Sequence, residues 1–308
     1  MVKSNLSNAD KNALTNSELV LCSLLSGAIA GACAKTTIAP LDRTKISFQI
    51  STEEYSAKKA WRFLINTYQK EGIINLWRGN SATMARIIPY AATQFSAHEQ
   101  WKKVLKVDSA DKAESKVRRF LAGSLAGVTS QTLTYPLDLA RARMAVTTKN
   151  EYQNLRQVFV STWQKEGLKA FYKGYLPTML GIIPYAGTSF CTYGTLKKIY
   201  KDKMGSNPTT GANLIFGAIS GMLGQSTSYP LDIVRRRMQT SAITGYECTS
   251  IIGTFRKIYQ EEGLRKGFFK GLSMNWIKGP ISVGISFATY DFVKETLTVL
   301  IIKTKIIS

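Results

Sequence analysis

The chain has 308 residues, with 41 Lys and Arg against 20 Asp and Glu, a formal net charge of +21 that calls for a polyanionic partner: nucleic acid, acidic lipid or a phosphorylated small molecule. A mean hydropathy of -0.08 does not by itself announce a membrane protein, so the charge has to be mapped along the chain. The four cysteines, Cys22, Cys33, Cys191 and Cys248, have neither CxxC nor metal spacing, and they read as small packing residues or free thiols rather than a disulfide framework or a zinc site.

Residues 1–18 are rich in Ser, Asn and Lys and include Asp10 and Glu18, which makes neither a signal peptide nor an Arg-rich transit helix. A flexible N-terminus is expected there, with any organelle address lying further in. Residues 19–41 then run with one charge, Lys35. About 20 such residues, at ~1.5 Å each, are what a helix needs to cross a bilayer. The run ends in KTTIAPLDRTK, where Pro40 frees a carbonyl and bends the helix, Asp42 and Lys45 sit just beyond it, and Arg43 reads as ordinary connector charge. In the connector, residues 56–70 place Ala60, Phe63, Leu64, Thr67 and Tyr68 on one helical face with lysines elsewhere, the pattern of a helix lying along a membrane surface.

Five more low-charge runs follow. Residues 80–98 contain only Arg86, residues 120–137, 175–196 and 209–231 are uncharged, and residues 272–290 contain only Lys278. All are rich in Gly, Ser and Thr, which explains the bland mean hydropathy. The competing reading is a soluble protein with long buried helices, which would need six such lengths kept free of surface charge.

The runs repeat. PLDRTK begins at Pro40, PLDLAR at Pro136 and PLDIVR at Pro230; EGIINLWRG begins at Glu71, EGLKAFYKG at Glu166 and EGLRKGFFKG at Glu262. Gly27 and Gly31, Gly123 and Gly127, and Gly217 and Gly221 precede the prolines at matching offsets, and three such GxxxG pairs predict close helix approach. Three copies of a unit of roughly 95 residues therefore account for the chain, with expected bounds of 19–106, 116–203 and 209–300 and a tail at 301–308.

The charges inside the spans, Lys35, Arg86 and Lys278, are all positive, and ionisable groups at membrane depth mark a water-filled path or its ligand unless they snorkel to headgroups. Alignment on the prolines sets Lys35 opposite Gln131 and Gln225; alignment of the even spans sets Arg86 opposite Gly181 and Lys278. A threefold scaffold needs its gates three times, but an asymmetric solute needs each contact once, so the unequal positions are the candidates for binding a multiply charged anion.

P-x-D-x-x-[KR] three times and E-G-x4/5-[WYF]-[KR]-G three times resemble the signature of the mitochondrial carrier family over about residues 19–300. The resemblance implies an all-α membrane protein: six tilted transmembrane helices in a pseudo-threefold barrel with three short matrix-side surface helices. It also implies the inner mitochondrial membrane, both termini facing the intermembrane space, and alternating access to one central site in a monomer without cofactor or metal. By the same resemblance Asp42, Asp138 and Asp232 pair cyclically with Arg141, Arg235 and Lys45 as a matrix gate. Ion pairs in a partly wet pore, at about 0 to 1 kcal/mol each, close such a gate without locking it.

For the cytoplasmic mouth the family uses [FY]-[DE]-x-x-[KR]. Tyr290, Asp291 and Lys294 match it, and His98, Glu99 and Lys102 match it except for the aromatic, which makes His98 an aromatic substitute before a metal ligand. Tyr193, Gly194 and Lys197 lack the acid. Cyclic pairing then joins Glu99 to Lys294 and Asp291 to Lys197, leaves Lys102 without a partner, and predicts a weakened gate.

In the family, Arg86, the pair Gly181 and Ile182, and Lys278 fall on the three central contact points. The Gly–aliphatic pair resembles that of nucleotide carriers, where a small residue lets adenine approach. Tyr185 either stacks on that base or packs beside Pro184. Lys35, in AKTTIAP, matches a phosphate-contacting position of the adenine nucleotide carriers. The runs SLLSGAIAGACAKTTIAPLDRTKI, LWRGNSATMARIIPYAATQFSAHE and KGLSMNWIKGP further resemble the family's coenzyme A carriers, implying exchange of coenzyme A for matrix adenine nucleotides. An ADP/ATP-type or adenosine 3′,5′-bisphosphate carrier is the alternative within transport. Connectors at Trp77, Tyr172 and Phe269, each followed by a cation and Gly, imply acidic lipid such as cardiolipin. A basic nucleic-acid-binding protein would explain the charge, but no RNP, zinc or basic-helix motif is present. Enzymatic patterns such as GxSxG, HExxH or a P-loop are also missing from the sequence, so no enzyme is expected.

Overall fold

The computed structural model describes residues 15–107, 112–246 and 250–307, and every regular element within them is helical. The reading of residues 1–14 as flexible and that of Cys248 fall outside the described residues. In chain order the elements are α1 (Asn16–Ile50), α2 (Ala57–Glu71), a 3₁₀ turn (Ile73–Trp77), α3 (Asn80–Val104), α4 (Lys112–Val146), α5 (Leu155–Glu166), a second 3₁₀ turn (Leu168–Tyr172), α6 (Tyr175–Met204), α7 (Thr210–Thr244), α8 (Ile251–Glu262), α9 (Leu264–Phe268) and α10 (Leu272–Ile307). The order long helix, short helix, short turn, long helix thus occurs three times. By length and apolarity alone, only Glu18–Ile50 among the described residues qualifies as a membrane span.

The long helices outrun the uncharged stretches. The first is helical from Asn16, within the expected flexible segment, and α10 continues through the expected tail to Ile307. Pro40, Pro136 and Pro230 lie inside α1, α4 and α7 rather than ending them. Proline costs an internal hydrogen bond, yet the helix carries its charged turn onward, and in that turn the Thr44 hydroxyl donates to the Pro40 carbonyl at 2.9 Å.

Local sequence sets the short helices. Ser56, Asn154 and Ser250 cap them, each side chain accepting from the backbone N–H three residues on, at Lys59, Gln157 and Gly253. The glycine of each EG pair ends them at positive φ: Gly72 at 84°, Gly167 at 80° and Gly263 at 76°. On α2, Ala60 and Thr67 are buried as expected, but Tyr68 is 55 % exposed and shares an outer apolar face with Trp61 and Ile65. Tyr68 is one turn on from Leu64, at the edge of the inward arc, and it turns outward with those two.

The chain divides into two compact units, Met1–Ile38 with Gly279–Ser308, and Ala39–Lys278. In the first, Cys22, Ser26, Ala30, Ala34 and Ile38 form a buried stripe at every fourth residue of α1. In the second, α3 packs along α4 and α6 along α7. The α6–α7 seam is close at Gly224, where an added Cβ would come within 2.8 Å of the Tyr185 carbonyl oxygen. The GxxxG glycines are not this seam. A Cβ at Gly127, Gly217 or Gly221 meets nothing within 4 Å among the described residues, and Gly27 and Gly31 are likewise open within their own unit. Small residues one position earlier, Ala122 and Ala126 on α4 and Ser220 on α7, are the buried ones, because a rotation of one residue moves the contact about 100° around a helix.

Three buried arginines fasten the repeats. Arg143 donates from Nε to the Gln239 carbonyl at 3.2 Å and pairs with Glu166; Arg237 donates to the Gln49 carbonyl at 3.2 Å and pairs with Glu262. The equivalent position in the first repeat is Ser47. There Arg43, one helical turn earlier, takes over the role: it donates to the Ala145 carbonyl at 3.2 Å and pairs with Glu71 at 3.0 Å. Arg43 is therefore a structural fastener and not connector charge. At Glu166, burial raises the carboxyl, but hydrogen bonds from Arg143 and Lys173 outweigh it and hold the group below the ordinary glutamate value.

Glu166→Gln strands the fully buried Arg143 and is expected to destabilise the folded protein by roughly 3 kcal/mol at neutral pH, read as a lower melting temperature in detergent. Because a depressed carboxyl stabilises above its unfolded value and loses that stabilisation as pH falls through its native one, the gap between wild type and variant shrinks below pH about 4.3. A pH-independent gap would contradict the assignment.

Candidate functional site

Within the Ala39–Lys278 unit, a cavity of about 420 Å³ opens between the long helices. Its floor is an ion-pair cluster built by the turn after each proline. Asp42 on α1 pairs with Arg141 on α4, Asp138 on α4 pairs with Arg235 on α7, and Asp232 on α7 pairs with Lys45 on α1 at 2.8 Å. These are the three cyclic pairs that the family resemblance implies.

Each aspartate has a second cation. Lys278 donates to Asp42 at 2.6 Å, Arg86 lies 3.4 Å from Asp138, and the Arg236 Nε lies 3.9 Å from Asp232. The cluster holds six cations, Lys45, Arg86, Arg141, Arg235, Arg236 and Lys278, against three carboxylates, a surplus of three positive charges. A partly hydrated, positively biased cavity of this kind suits a polyanion with several phosphates.

Two of the expected contact residues are thus held by the floor. Arg86, reaching from α3, also donates to Gln131 at 2.6 Å and to the Thr134 hydroxyl at 3.3 Å, and its guanidinium lies 5.0 Å from the Tyr90 ring centroid. Lys278 stands near the start of α10. Gly181, Ile182 and Tyr185 line the opposite wall on α6, so the cavity gathers five of the six expected contact residues. Lys35 lies exposed on α1 in the other unit. Gln131 and Gln225, which align with it in the other repeats, both line the cavity.

Several functional side chains escaped the sequence reading. Gln49 donates to Asp232 at 2.9 Å and Gln239 to Asp138 at 3.0 Å, each bracing an ion pair from one turn below it, while the second repeat has Ala145 there. Their recurrence nine residues after the proline was the available signal. Arg236 was missed although the rule that found Lys35 applies to it: its counterparts are Ile46 and Ala142. Behind the floor, the Tyr135 hydroxyl donates to the Lys173 carbonyl at 3.0 Å and Tyr229 to that of Lys270 at 2.7 Å, just before Gly174 and Gly271. At Gly174, φ is 82° and an added Cβ would sit 2.9 Å from the Arg235 carbonyl, so only glycine lets α6 start against the floor.

The expected second gate is built differently in part. Lys102, expected to be unpartnered, pairs with Glu99 at 2.9 Å on its own helix, since residues three apart share a helical face. Lys197 is on α6 beside Gly194, where an added Cβ meets nothing within 4 Å among the described residues, and the neighbouring Tyr193 donates to Asn213 at 3.1 Å. In the other unit, Lys294 lies over the ring of Tyr290, the residue before Asp291, 5.4 Å from its centroid and 3.4 Å from its hydroxyl.

A family profile described as "Mitochondrial carrier protein" matches residues 16–109, 112–204 and 206–299. Among named proteins, the chain is 57% identical over 281 residues to "Mitochondrial coenzyme A transporter SLC25A42" of Danio rerio, covering 90% of this chain and 88% of that one. The Homo sapiens protein of the same name gives 57% over 281 residues, with the same coverage. "Solute carrier family 25 member 16" of Bos taurus is 39% identical over 293 residues, covering 89% and 88%.

Burial differs across the floor: the side chains of Asp138, Asp42 and Asp232 are 2%, 9% and 23% exposed. Replacing each by Asn should therefore lower the melting temperature in that order, from roughly 3 kcal/mol for Asp138→Asn toward about 1 for Asp232→Asn. Equal losses, or the reverse order, would contradict the picture.

Proposed function

Because the chain belongs to the mitochondrial carrier family, we propose that it is an inner-membrane antiporter that exchanges coenzyme A, and related adenosine 3′,5′-bisphosphates, for matrix adenine nucleotides. It does so by alternating access and performs no enzymatic step. In this reading the six long helices are tilted spans around a pseudo-threefold axis, built from repeats 19–106, 116–203 and 209–300. The three short helices lie on the matrix side, and the termini face the intermembrane space. The protein works as a monomer, and the basic turns after Trp77, Tyr172 and Phe269 hold acidic lipid such as cardiolipin.

The observation that carries the reading is the surplus of positive charge in the cavity, supported by the identity to proteins named for coenzyme A transport. Coenzyme A brings an adenine and three phosphates, one of them at the 3′ position. Arg86, Lys278 and Lys35 are the phosphate contacts, Gly181 and Ile182 receive the adenine, and Tyr185 stacks on it or buttresses that wall.

Asp42, Lys45, Asp138, Arg141, Asp232 and Arg235 form the matrix gate. Arriving phosphates compete with Asp42 and Asp138 for Lys278 and Arg86, so cargo withdraws the second cation from two of the three gate carboxylates as it binds. A ligand shifts a conformational equilibrium only by its differential affinity for the two states, and this competition supplies one. Glu99, Lys102, Lys197, Asp291 and Lys294 form the weaker cytoplasmic gate.

Uptake into liposomes tests the substrate: coenzyme A should be taken up in preference to dephospho-coenzyme A and ADP, whereas equal handling of all three would favour a general adenine nucleotide carrier. Lys278→Ala should reduce exchange by roughly tenfold to a hundredfold, the loss of one charge-assisted hydrogen bond. The variant still folds, because Asp42 keeps Arg141; uptake at the wild-type rate would refute the role. Gly194→Glu, for which space exists, should slow exchange by completing the cytoplasmic gate, and an unchanged rate would count against that gate.

A further inference from the structure

Asn275 is 6 % exposed and lines the cavity, one helical turn before Lys278 on α10. Its Oδ1 is buried with no hydrogen-bond donor among the described residues. An unsatisfied buried acceptor costs about 1–3 kcal/mol and calls for an explanation. The other repeats avoid the cost at the equivalent position. Thr83 and Thr178 stand four residues after Gly79 and Gly174, as Asn275 stands four after Gly271. Each threonine hydroxyl donates to the carbonyl of its own glycine, Thr83 at 3.4 Å and Thr178 at 2.7 Å. The third repeat therefore gives up a self-satisfied hydroxyl for an amide whose oxygen is left waiting.

Resting on the proposed substrate, we infer that Asn275 Oδ1 accepts a hydrogen bond from an N–H donor on the uncharged part of the cargo. The cations of the cavity are donors only and recognise phosphate; they offer nothing to an N–H group. Coenzyme A has such groups in the two amides of its pantetheine arm and in the adenine amine. The χ2 torsion of asparagine is soft, so the oxygen turns to meet a donor arriving in the cavity. With adenine against Gly181 and Ile182 on α6 and phosphates at Arg86 and Lys278, the donor nearest α10 is an arm amide. Asn275 thus distinguishes coenzyme A from nucleotides without the arm.

The test compares wild type with Asn275→Leu, which keeps the volume and removes the acceptor, and Asn275→Thr, which restores the residue type of the other repeats. Binding of coenzyme A and of adenosine 3′,5′-bisphosphate is measured together with the cargo-free melting temperature. The expected result is a roughly tenfold weaker affinity for coenzyme A in both variants, little change for the bisphosphate, and a melting temperature equal to or above wild type. An equal loss for both ligands at unchanged stability still supports an N–H donor and identifies it as the adenine amine. Unchanged affinity for both ligands, or a fall in melting temperature that accompanies the loss, overturns the inference in favour of a packing role. If the wild type binds the bisphosphate and not coenzyme A, the substrate reading fails; a tenfold loss of bisphosphate affinity in the variants then supports the donor contact, and no loss overturns it.

Discussion

Three carboxylates that each hold two cations are the constraint around which the rest of this molecule is arranged. Asp42, Asp138 and Asp232 are held in the turn after a proline, low in the cavity, where a lone charge would be costly. Their first partners come from a neighbouring repeat and tie the helices together. Their second partners, Lys278, Arg86 and Arg236, leave the cluster with more positive than negative charge. That surplus suits anions, so under the proposed function closing and binding draw on one set of side chains.

The packing beneath the floor serves that arrangement. Arg43, Arg143 and Arg237 reach from one long helix to a carbonyl of the next repeat while pairing with the glutamate that ends a short helix. Gly79 and Gly174, which follow aromatic–cation pairs, let α3 and α6 begin against the carbonyls of Arg141 and Arg235, and Gly271 lets α10 begin beside the Tyr229 hydroxyl and the Lys45 side chain. The arginine contacts are made three times because the scaffold repeats. Departures from the repeat, at Arg86, Gly181, Arg236, Asn275 and Lys278, collect on the cavity wall, where an asymmetric ligand is the one thing that could use them.

Much of this was legible in the sequence, because repetition exposes function twice over. Residues found three times, Asp42 with its counterparts and the cations three positions on, belong to the frame; residues found once are those that the proposed function assigns to the cargo. Arg236 and Asn275 obey the second rule and were overlooked for want of comparing Ile46 with Ala142, and Thr83 with Thr178. Arg43 was misread because its role had shifted by one turn, leaving Ser47 at the position Arg143 and Arg237 occupy. The GxxxG pairs and Tyr68 failed for another reason: a helix that is small and apolar on most sides carries little periodicity to say which face is inside. Burial of Ala126 rather than Gly127 is a tertiary fact.

The central claim is that cargo phosphates and gate aspartates compete for Lys278 and Arg86, and the equilibrium affinity for coenzyme A in aspartate variants tests it most directly. Asp42→Asn frees Lys278 and Asp138→Asn frees Arg86, so both should tighten binding, by roughly tenfold if one charge-assisted hydrogen bond no longer has to be broken. Asp232→Asn, whose carboxylate holds neither cation, serves as the control for the general loss of a negative charge and should tighten binding distinctly less. Affinities that are unchanged in Asp42→Asn and Asp138→Asn, or raised equally in all three variants, would contradict the account.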